Sequence, residues 1–437
     1  MKSAKTLDNA ERVLLAGVCL KRKPRAGGAS SGISGQDSLA ELAELARSAG
    51  ARVVGSRLQM RDTLDSATLV GRGMLEELKH EAERLEASLI IIDRSLFPVQ
   101  HRNIERGTDC RVIDRTQLIL DIFARHAHSR EGQLQVELAQ LNYLLPRLAG
   151  GSKELSRLGG GIGTRGPGEQ KLETDRRRIR DRAGKIARMI ETVRRQRALR
   201  RRARQAVPLG TVALVGYTNA GKSSLFNALT KSEVYTSAKM FATLDPTVRA
   251  LRLPSRRRVL LSDTVGFIAD LPPDLIAAFR ATLEEVQEAA LILHVTDIAN
   301  PMHAEQDAEV EKVLRDLGVA ERPRLRVFNK LDLLAPDDAQ NLADIHGGAE
   351  NERAVLVSAR TGQGLNELRE RIDAAMPVDP IVTRRLRVPM SNARELAMIY
   401  ACGRVTHSEV EDGNMHLEAE LPESLAMRLD TMIEQAK

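Results

Sequence analysis

The sequence predicts a multidomain α/β protein: a small N-terminal α/β domain, a two-helix coiled hairpin, a P-loop domain with a doubly wound sheet, and a small α+β C-terminal domain. The 437 residues are enough to bury more than one hydrophobic core. Apolar strands alternate with amphipathic helices in two separate stretches, and apolar residues recur at heptad spacing between them. We place the four parts at residues 1–130, 131–205, 206–376 and 383–437.

The N-terminal part alternates between strands and helices. Its apolar runs predict strands at residues 12–20, 51–59, 89–93 and 110–113. Its helical periodicity predicts helices at residues 38–48 and 73–86. Such alternation indicates a parallel or mixed sheet with helical crossovers. Residues 23–35 are rich in Gly and Ser, which favours a flexible surface loop.

Apolar residues at heptad-like spacing predict the hairpin. They lie at Leu134, Leu138, Leu141, Leu145 and Leu148 in a first helix and at Leu172, Ile179, Ile186 and Val193 in a second. Ala183 and Ile190 belong to the same face of the second helix. Two amphipathic helices with matching seams, joined by a Gly-rich segment, pair as a coiled hairpin.

The positive charge of the chain is concentrated in the second hairpin helix. The net charge of +7 divides into +11 for residues 171–204, where fifteen Lys and Arg face four acids, and −4 for the remainder. A basic stripe of this kind is the electrostatic footprint of a nucleic-acid partner, and a solvated charged helix is the alternative.

The composition argues against several other classes of protein. Aromatic residues make up 3% and Trp is absent, so neither a sugar cleft nor a stacking surface for single strands is expected. Cys19, Cys110 and Cys402 are too few and too far apart for a disulfide framework or a zinc site. No run approaches the roughly 20 apolar residues of a membrane span. We therefore expect a soluble cytoplasmic protein.

A phosphate-binding loop is predicted after the first strand of the P-loop domain. Strands of this domain are expected at residues 212–215, 258–262, 291–296, 324–329 and 354–358. Gly216 to Ser223 (GYTNAGKS) fit G-x-x-x-x-G-K-[ST]. Glycines let backbone N–H groups converge on the β-phosphate, and the helix N-terminus favours anions. Lys222 is expected to reach the β- and γ-phosphates, and Ser223 to bind Mg²⁺.

Three further motifs each follow a predicted strand. Asp263 begins a D-x-x-G element that ends at Gly266, Asn329 begins an N-K-x-D element that ends at Asp332, and Ser358 begins the tripeptide SAR. In the D-x-x-G element, Asp263 is expected to hold Mg²⁺ and the Gly266 N–H to meet the γ-phosphate. The Asp332 carboxylate accepts two hydrogen bonds from guanine N1–H and the 2-amino group, a pair that adenine cannot supply. These motifs, in this order, indicate a guanine-nucleotide site.

The segment between the first two motifs contains a candidate switch threonine. Residues 240–247 read MFATLDPT. A guanine-nucleotide hydrolase needs a mobile Thr here to close on Mg²⁺ and the γ-phosphate. Thr243 and Thr247 are both candidates on this argument.

A second glycine motif, Gly161 to Gly166 (GIGTRG), fits the G-x-G-x-x-G spacing of dinucleotide sites. It lacks the preceding strand and the βαβ unit that such a site requires, and a glycine cluster produces this spacing often by chance. We interpret residues 159–168 as the tip between the coiled helices, where glycines keep the backbone thin. The residues expected to contact RNA are Gly161, Gly163, Arg165, Gly166, Arg176, Arg177 and Arg178.

The C-terminal tail predicts a small α+β unit. Strands are expected at residues 386–389 and 415–421, a helix at residues 391–401, and a short closing helix from residue 423.

The motifs GYTNAGKSS, FATLDPT, DTVGF, NKLD and VSAR, with the upstream block RLGGGIGTRGPGEQKLETDRRRIR, resemble the HflX family of GTPases, in the Obg-related branch of translational GTPases. The glycine-arginine block is the most specific part, because general GTPases lack it. The resemblance covers residue 12 to about residue 421. It implies a GTP hydrolase with Lys222 and Gly266 at the catalytic centre. It also favours Thr243 as the switch residue, so that Ser223, Thr243 and Asp263 hold Mg²⁺.

The GTP-binding residues implied by the motifs and the resemblance form five groups along the chain. They are Gly216, Tyr217, Thr218, Asn219, Ala220, Gly221, Lys222, Ser223, Phe241, Ala242, Thr243, Leu244, Asp245, Asp263, Thr264, Val265, Gly266, Phe267, Asn329, Lys330, Leu331, Asp332, Ser358, Ala359 and Arg360.

The residue after the D-x-x-G glycine is Phe267, where Ras-like enzymes carry a Gln that orients the attacking water. A phenyl ring offers water no hydrogen bond, so the isolated protein is expected to hydrolyse GTP slowly. Either the ribosome or a K⁺ ion near Asn219 is expected to complete the site, the latter as in related GTPases with a hydrophobic substitution.

Members of the family bind the large ribosomal subunit and, with GTP, split stalled ribosomes under stress. The resemblance therefore implies a monomeric, ribosome-associated GTPase whose tip enters the peptidyl-transferase region, with association at the membrane periphery left open. One alternative is a GTP-gated module that binds the large subunit or its assembly precursor. Another is an ATP-dependent RNA-remodelling enzyme acting through the N-terminal domain, although residues 1–130 carry no phosphate-loop motif.

Overall fold

The computed structural model describes residues 10–21, 34–148, 167–205, 210–231, 240–241, 247–269, 285–338, 341–342, 354–376, 380–423, 425–427 and 429. Within them the chain forms three β-sheets and a long helical pair, which confirms the predicted multidomain α/β class. The Gly-rich tip up to Gly166, most of the predicted loop at residues 23–35, and residues 242–246 lie outside this set.

The N-terminal sheet contains four parallel strands in the order β2-β1-β3-β4. They are β1 (Arg12–Leu20), β2 (Arg52–Arg61), β3 (Leu89–Ile92) and β4 (Arg111–Asp114). Alternate residues of β1 enter two different apolar clusters, one on each face of the sheet. This pattern is typical of a parallel sheet covered on both faces. All four predicted strands are present, with small shifts at their ends.

Helices cover both faces of this sheet. They are α1 (Gly35–Ser48), α2 (Arg72–Arg84), α3 (Pro98–Thr108) and α4 (Arg115–His126). The Ser34 side chain caps α1 and the Asp114 side chain caps α4, each by accepting a hydrogen bond from a backbone N–H of the first turn. The sequence analysis predicted α1 and α2 and named neither α3 nor α4.

Two long helices, α5 (Arg130–Leu148) and α6 (Pro167–Gln205), pack against each other as the hairpin stem. The predicted seam is the less exposed face of α6, where Ile186 is buried and Ile179, Ala183, Ile190 and Val193 are half-buried. Arg182 Nε donates to Glu137 Oε1 at 2.8 Å across the pair. The basic side chains of the second helix therefore lie mostly outside the seam.

The third part is a six-stranded sheet in the order β10-β9-β8-β5-β7-β6. Its strands are β5 (Thr211–Gly216), β6 (Thr247–Arg252), β7 (Arg258–Asp263), β8 (Leu291–Asp297), β9 (Arg324–Asn329) and β10 (Ala354–Leu356). All pairs are parallel except that of edge strand β6 with β7. The sequence analysis missed β6, whose residues are mostly exposed and carry little apolar signal.

Helices α7 (Lys222–Thr230), α8 (His303–Asp316) and α9 (Leu365–Ala375) accompany this sheet. Strand β5 lies in the interior of the sheet, between β7 and β8. The loop after β5 is therefore flanked by the carboxyl ends of both neighbours, which is the edge where doubly wound sheets bind ligands.

The C-terminal unit is an antiparallel sheet in the order β11-β13-β12. It consists of β11 (Ile381–Pro389), α10 (Ala393–Cys402), β12 (Arg404–Glu411) and β13 (Asn414–Pro422), and residues 423, 425–427 and 429 are helical. Strand β12 was not predicted because it is largely polar and exposed. Among the described residues, no helix combines the length and apolarity needed to cross a bilayer.

The N-terminal domain and the P-loop domain share one apolar cluster. The rings of Phe123 in α4 and Phe241 pack edge to face with centroids 4.4 Å apart. The backbone N–H of Met240 donates to Ser48 Oγ at 3.0 Å. The N-terminal domain therefore contacts the segment that leads into the predicted switch threonine.

Candidate functional site

The loop between β5 and α7 depends on two glycines. Gly216 has φ of 154°, and a Cβ there would lie 2.2 Å from the carbonyl oxygen of Val295. Gly221 has φ of 89°, and a Cβ there would lie 2.2 Å from Asn329 Nδ2. Only glycine fits both the conformation and the space at these positions. The loop can therefore direct its backbone towards a phosphate and lead directly into the N-terminus of α7.

Lys222 is buried in the first turn of α7. Its Nζ donates to the carbonyl oxygens of Tyr217 at 2.7 Å and Gly216 at 3.1 Å. Burial lowers the pKa of Lys222 to about 8, and the negative charge of Asp263 opposes this shift. A phosphate placed in the loop would raise the pKa of Lys222 again, because its negative charge favours the ammonium. The ammonium is thus positioned along the loop where the phosphates of a nucleotide are expected.

Two oxygen ligands suited to Mg²⁺ meet beside this lysine. The hydroxyl of Ser223 donates to Asp263 Oδ2 at 2.7 Å, and Asp263 is fully buried at the end of β7. A hydroxyl and a carboxylate are the hard donors that Mg²⁺ prefers, usually together with waters and substrate phosphates. The pair therefore fits the predicted metal site. In the part of the chain that the structure describes, no cluster of three or more His, Cys, Asp or Glu forms another candidate.

The D-x-x-G segment, which we define as residues 263–269, lies directly against the phosphate loop. Thr218 donates its backbone N–H to the Phe267 carbonyl at 2.7 Å, and the Phe267 N–H donates to the Gly216 carbonyl at 3.1 Å. A Cβ added at Gly266 would lie 2.9 Å from the Thr218 Cα and 3.0 Å from Lys222 Nζ. Gly266 therefore lies beside the phosphate-binding groups, as its predicted role requires.

Three aromatic side chains assigned to the nucleotide site point elsewhere. Tyr217, Phe241 and Phe267 are each at most 4% exposed and belong to the apolar cluster shared with the N-terminal domain. Their backbones border the site, but their rings pack against protein. Phe241 and Tyr217 contact the N-terminal domain directly, at Phe123 and Glu41.

The N-K-x-D element connects the phosphate loop to the SAR loop. Asn329 Nδ2 donates to the Ala220 carbonyl at 3.0 Å, and Asn329 Oδ1 accepts the Ala359 N–H at 3.0 Å. Asn329 is 2% exposed, so both bonds are shielded from water. Its amide fixes the distance between the two loops that border a bound nucleoside.

Asp332, the residue predicted to recognise the base, forms a hydrogen bond with Ser358. Ser358 Oγ donates to Asp332 Oδ1 at 2.6 Å, while Ser358 itself is fully buried. Arg360 lies 3.9 Å from the other carboxylate oxygen. Lys330 has φ of 70°, and its Nζ forms a 2.6 Å ion pair with Asp297. The Asp332 carboxylate is therefore fixed in orientation and keeps lone pairs to accept from guanine.

The structure brings four of the predicted groups together at one edge of the six-stranded sheet. These are residues 216–223, 263–267, 329–332 and 358–360. Of the fifth group, only Phe241 is described, and Ala242, Thr243, Leu244 and Asp245 lie outside the described residues. The side chains of Leu331 and Thr264 belong to the protein interior beside the site. Leu331 is buried, and Thr264 Oγ1 donates to the Leu214 carbonyl of β5 at 2.5 Å.

Sequence analysis missed the N-terminal residues that contact this site. Glu41 and Ser48 in α1 and Phe123 in α4 all contact residues of the nucleotide loops. Their spacing predicts no more than helices with a buried face. No signal in a single sequence reveals which other domain such a face will contact.

The predicted RNA-contacting residues divide between two regions. Arg176, Arg177 and Arg178 lie on α6, and the last two are exposed. Arg176 and Arg178 lie 3.7 and 3.5 Å from acids one turn earlier, at Glu173 and Asp175. Gly161, Gly163, Arg165 and Gly166 lie outside the described residues. Glu173 and Asp175 are thus paired locally, and the surplus of arginine gives this helix its positive charge.

Three protein-family models match consecutive parts of the chain. They are described as GTP-binding GTPase N-terminal over residues 36–124, GTP-binding GTPase Middle Region over residues 126–204, and 50S ribosome-binding GTPase over residues 211–330. The second covers the helical pair, and the third covers the phosphate loop, the D-x-x-G segment and Asn329.

Several relatives match most of the length of this chain. A protein named GTPase HflX from Caldanaerobacter subterraneus subsp. tengcongensis is 46% identical over 398 residues, which cover 91% of this chain and 90% of that protein. GTPase HflX of Alkalihalophilus pseudofirmus is 46% identical over 370 residues, covering 84% and 86%. GTPase HflX of Escherichia coli is 41% identical over 388 residues, covering 88% and 90%.

Proposed function

Because the chain belongs to the HflX family of GTPases, we propose that it binds the large ribosomal subunit, splits stalled ribosomes into subunits under stress, and hydrolyses GTP faster on the ribosome than alone. The observation that carries this proposal is the presence of a guanine-nucleotide site and an exposed arginine-rich helix in one chain. The first supplies a switch that GTP controls, and the second supplies a surface for RNA phosphates.

Each group of the nucleotide site has a separate task in the proposed reaction. Lys222 and the Gly266 N–H stabilise negative charge on the γ-phosphate as it is transferred. Ser223 and Asp263 would hold Mg²⁺, which neutralises charge on the β- and γ-phosphate oxygens when bound. Asp332 selects guanine, because adenine would leave its carboxylate unsatisfied.

Among the residues that the structure describes, we assign none to orient the attacking water. Phe267 occupies the position after Gly266, and its ring is only 4% exposed. The phenyl ring can neither donate a hydrogen bond to water nor accept one from it, so GTP turnover in the isolated protein should be slow. We propose that the large subunit completes the site, with K⁺ near Asn219 as the other candidate; Asn219 is exposed in the phosphate loop with φ of 62°.

The proposed RNA contact uses the outer face of α6 and the glycine tip beyond its N-terminus. A helix pair that buries one seam leaves its arginines free to approach a phosphate backbone without unfolding the stem. Glycines at the tip would allow close approach to RNA where larger side chains would collide. Replacing Gly159, Gly160 and Gly161 by bulkier residues should therefore impair ribosome splitting and leave GTP affinity unchanged.

Subunit dissociation followed by light scattering tests the proposal. Intact ribosomes are mixed with the protein and either GDP or a nonhydrolysable GTP analogue. A fall in scattering with the analogue alone supports GTP-controlled splitting. Ribosomes that bind the protein and stay intact would instead favour the GTP-gated binding module. Asp332→Asn serves as the control, since it should remove the effect of guanine nucleotides.

A further inference from the structure

Tyr217 lies in the phosphate loop, but its phenol contacts two other parts of the protein. Its Oη lies 2.6 Å from Glu41 Oε1 in α1 and 2.8 Å from the backbone nitrogen of Ala269. A carboxylate can only accept and a backbone N–H can only donate, so the phenol donates to Glu41 and accepts from Ala269. Burial and the neighbouring Glu41 raise the pKa of Tyr217, which keeps the phenol protonated. One hydroxyl thus joins the N-terminal domain to the D-x-x-G segment.

Glu41 is itself fixed by a buried ion pair. Arg115 contacts both Glu41 and Asp93, the latter at 2.8 Å, and its side chain is 3% exposed. Removing one partner of such a group leaves an uncompensated buried charge, which is costly. Glu41 therefore has little freedom to move unless Arg115 and its helix move with it.

The same network continues to the hairpin stem. Asp114, next to Arg115 in the chain, accepts hydrogen bonds from Tyr143 Oη at 2.8 Å and Arg147 Nη2 at 3.0 Å, both in α5. Arg147 also stacks over the Tyr143 ring, with Cζ 3.3 Å from the centroid. Asp114 is fully buried and caps α4. Polar contacts therefore link the C-terminal part of α5 to Asp114, and its chain neighbour Arg115 continues the path through Glu41 and Tyr217 to Ala269.

We propose that Tyr217 is a positioning residue that couples the N-terminal domain and helix α5 of the hairpin to the D-x-x-G segment. Ala269 lies three residues beyond Gly266, the residue expected to meet the γ-phosphate. A shift of Gly266 on GTP binding would reach the bond between Ala269 and Tyr217 through this short segment, and with it the contact to Glu41. Coupling of this kind is reciprocal, so the position of α5 also biases the preference between GDP and GTP.

The first test is Tyr217→Phe in the full chain, which deletes the hydroxyl and keeps the ring. Affinities for fluorescent GDP and for a fluorescent nonhydrolysable GTP analogue are measured without ribosomes. The ratio of the two affinities should change about fivefold or more, the lower range of allosteric couplings. If the hydroxyl has only a structural role, Tyr217→Phe should lower both affinities by the same factor. An unchanged ratio of affinities overturns the proposal. Tyr400→Phe is the matched control, because Tyr400 lies in the C-terminal unit.

The second test is a double-mutant cycle between Tyr217 and Glu41. Glu41→Ala should shift the affinity ratio in the otherwise unchanged protein and have no further effect on it in Tyr217→Phe. Glu41→Gln retains an acceptor for the phenol and should restore most of the original ratio. Additive shifts from Glu41→Ala and Tyr217→Phe would contradict coupling through this bond. Circular dichroism of each variant verifies that the fold is retained.

The link to the hairpin rests on the proposed ribosome function and needs a separate readout. Tyr143→Phe should reduce the stimulation of GTP hydrolysis by large subunits and leave hydrolysis without ribosomes unchanged. Stimulation equal to that of the unchanged protein would remove the hairpin from the proposal. A different outcome is that large subunits fail to stimulate GTP hydrolysis by the unchanged protein and by every variant, while Tyr217→Phe still changes the affinity ratio. In that case the proposed ribosome function fails and the coupling stands.

Discussion

Ser358 Oγ donates to Asp332 Oδ1 at 2.6 Å, from a serine that is itself fully buried. The bond joins the N-K-x-D element at the end of β9 to the SAR loop after β10, two motifs separated in the chain by 25 residues. It turns a flexible carboxylate into a fixed acceptor. If Asp332 contacts the base as we propose, base selection depends on this pair of residues.

Asp332→Asn should remove the preference for guanine. The amide retains one acceptor and presents donors to the guanine N1–H and 2-amino group, so affinity for GDP should fall about 100-fold or more. Ser358→Ala should lower the affinity for GDP about tenfold, because it removes only one charge-assisted hydrogen bond of about 1.5 kcal/mol. Calorimetric titration with GDP measures both. Equal losses in the two variants would argue against Asp332 as the residue that contacts the base.

Nucleotide affinity should decrease as the pH rises above about 8, because the pKa of Lys222 in the free protein is lowered to about 8 by burial. Phosphates raise this pKa in the complex, so binding takes up a proton and is strongest where Lys222 is already charged. Affinity should be level below that pH and fall as pH passes through it. Titrations of GDP between about pH 7 and pH 9 test the sign. Guanosine, which lacks phosphates, should bind with no such dependence; a level profile for GDP would contradict the assignment.

The motifs of the predicted nucleotide site could be recognised from the sequence because their chemistry is local, and the structure brings four of them to one edge of the sheet. Backbone conformation and close packing require glycine at Gly216 and Gly221, and a hydrogen bond to the loop requires the amide of Asn329. Such requirements determine both the residue type and its position within a motif, so the motif can be read from the sequence. Strands with continuous apolar runs, such as β3 and β5, were also predicted correctly from the sequence. Edge strands β6 and β12 were missed because their partly exposed residues carry little apolar periodicity.

The contact between domains could not be predicted in the same way. Tyr217 and Phe267 were assigned to the nucleotide on the basis of their position in motifs, yet their side chains enter the shared cluster. Glu41 lies 176 positions from Tyr217 in the chain, and no periodicity relates them. A buried helical face predicts that a partner exists, but not which partner. Only the packed structure shows that α1 contacts the phosphate loop.

Phe123→Ala should destabilise the protein and loosen the residues that lead into the switch segment. Phe123 is fully buried, so the truncation should cost about 3 to 5 kcal/mol of unfolding free energy. It also removes the ring against which Phe241 packs. Denaturant unfolding measures the first effect, and hydrogen exchange at Met240 and Phe241 measures the second. Phe123→Leu fills most of the space and should cost less; faster exchange throughout the protein would indicate global rather than local loosening.

The exposed arginines of α6 should determine how steeply RNA binding depends on salt. Each phosphate contact releases counterions, so replacing Arg177 and Arg178 by Ala should reduce the slope of log K against log salt by about 0.7 to 0.9 per residue. Co-sedimentation with large subunits at several salt concentrations gives the slope. Arg72→Ala, an exposed arginine in the N-terminal domain, serves as the control and should leave it unchanged. If the double variant binds with the original slope, Arg177 and Arg178 do not contact phosphate, and the basic face of α6 is only a solvated surface at these positions.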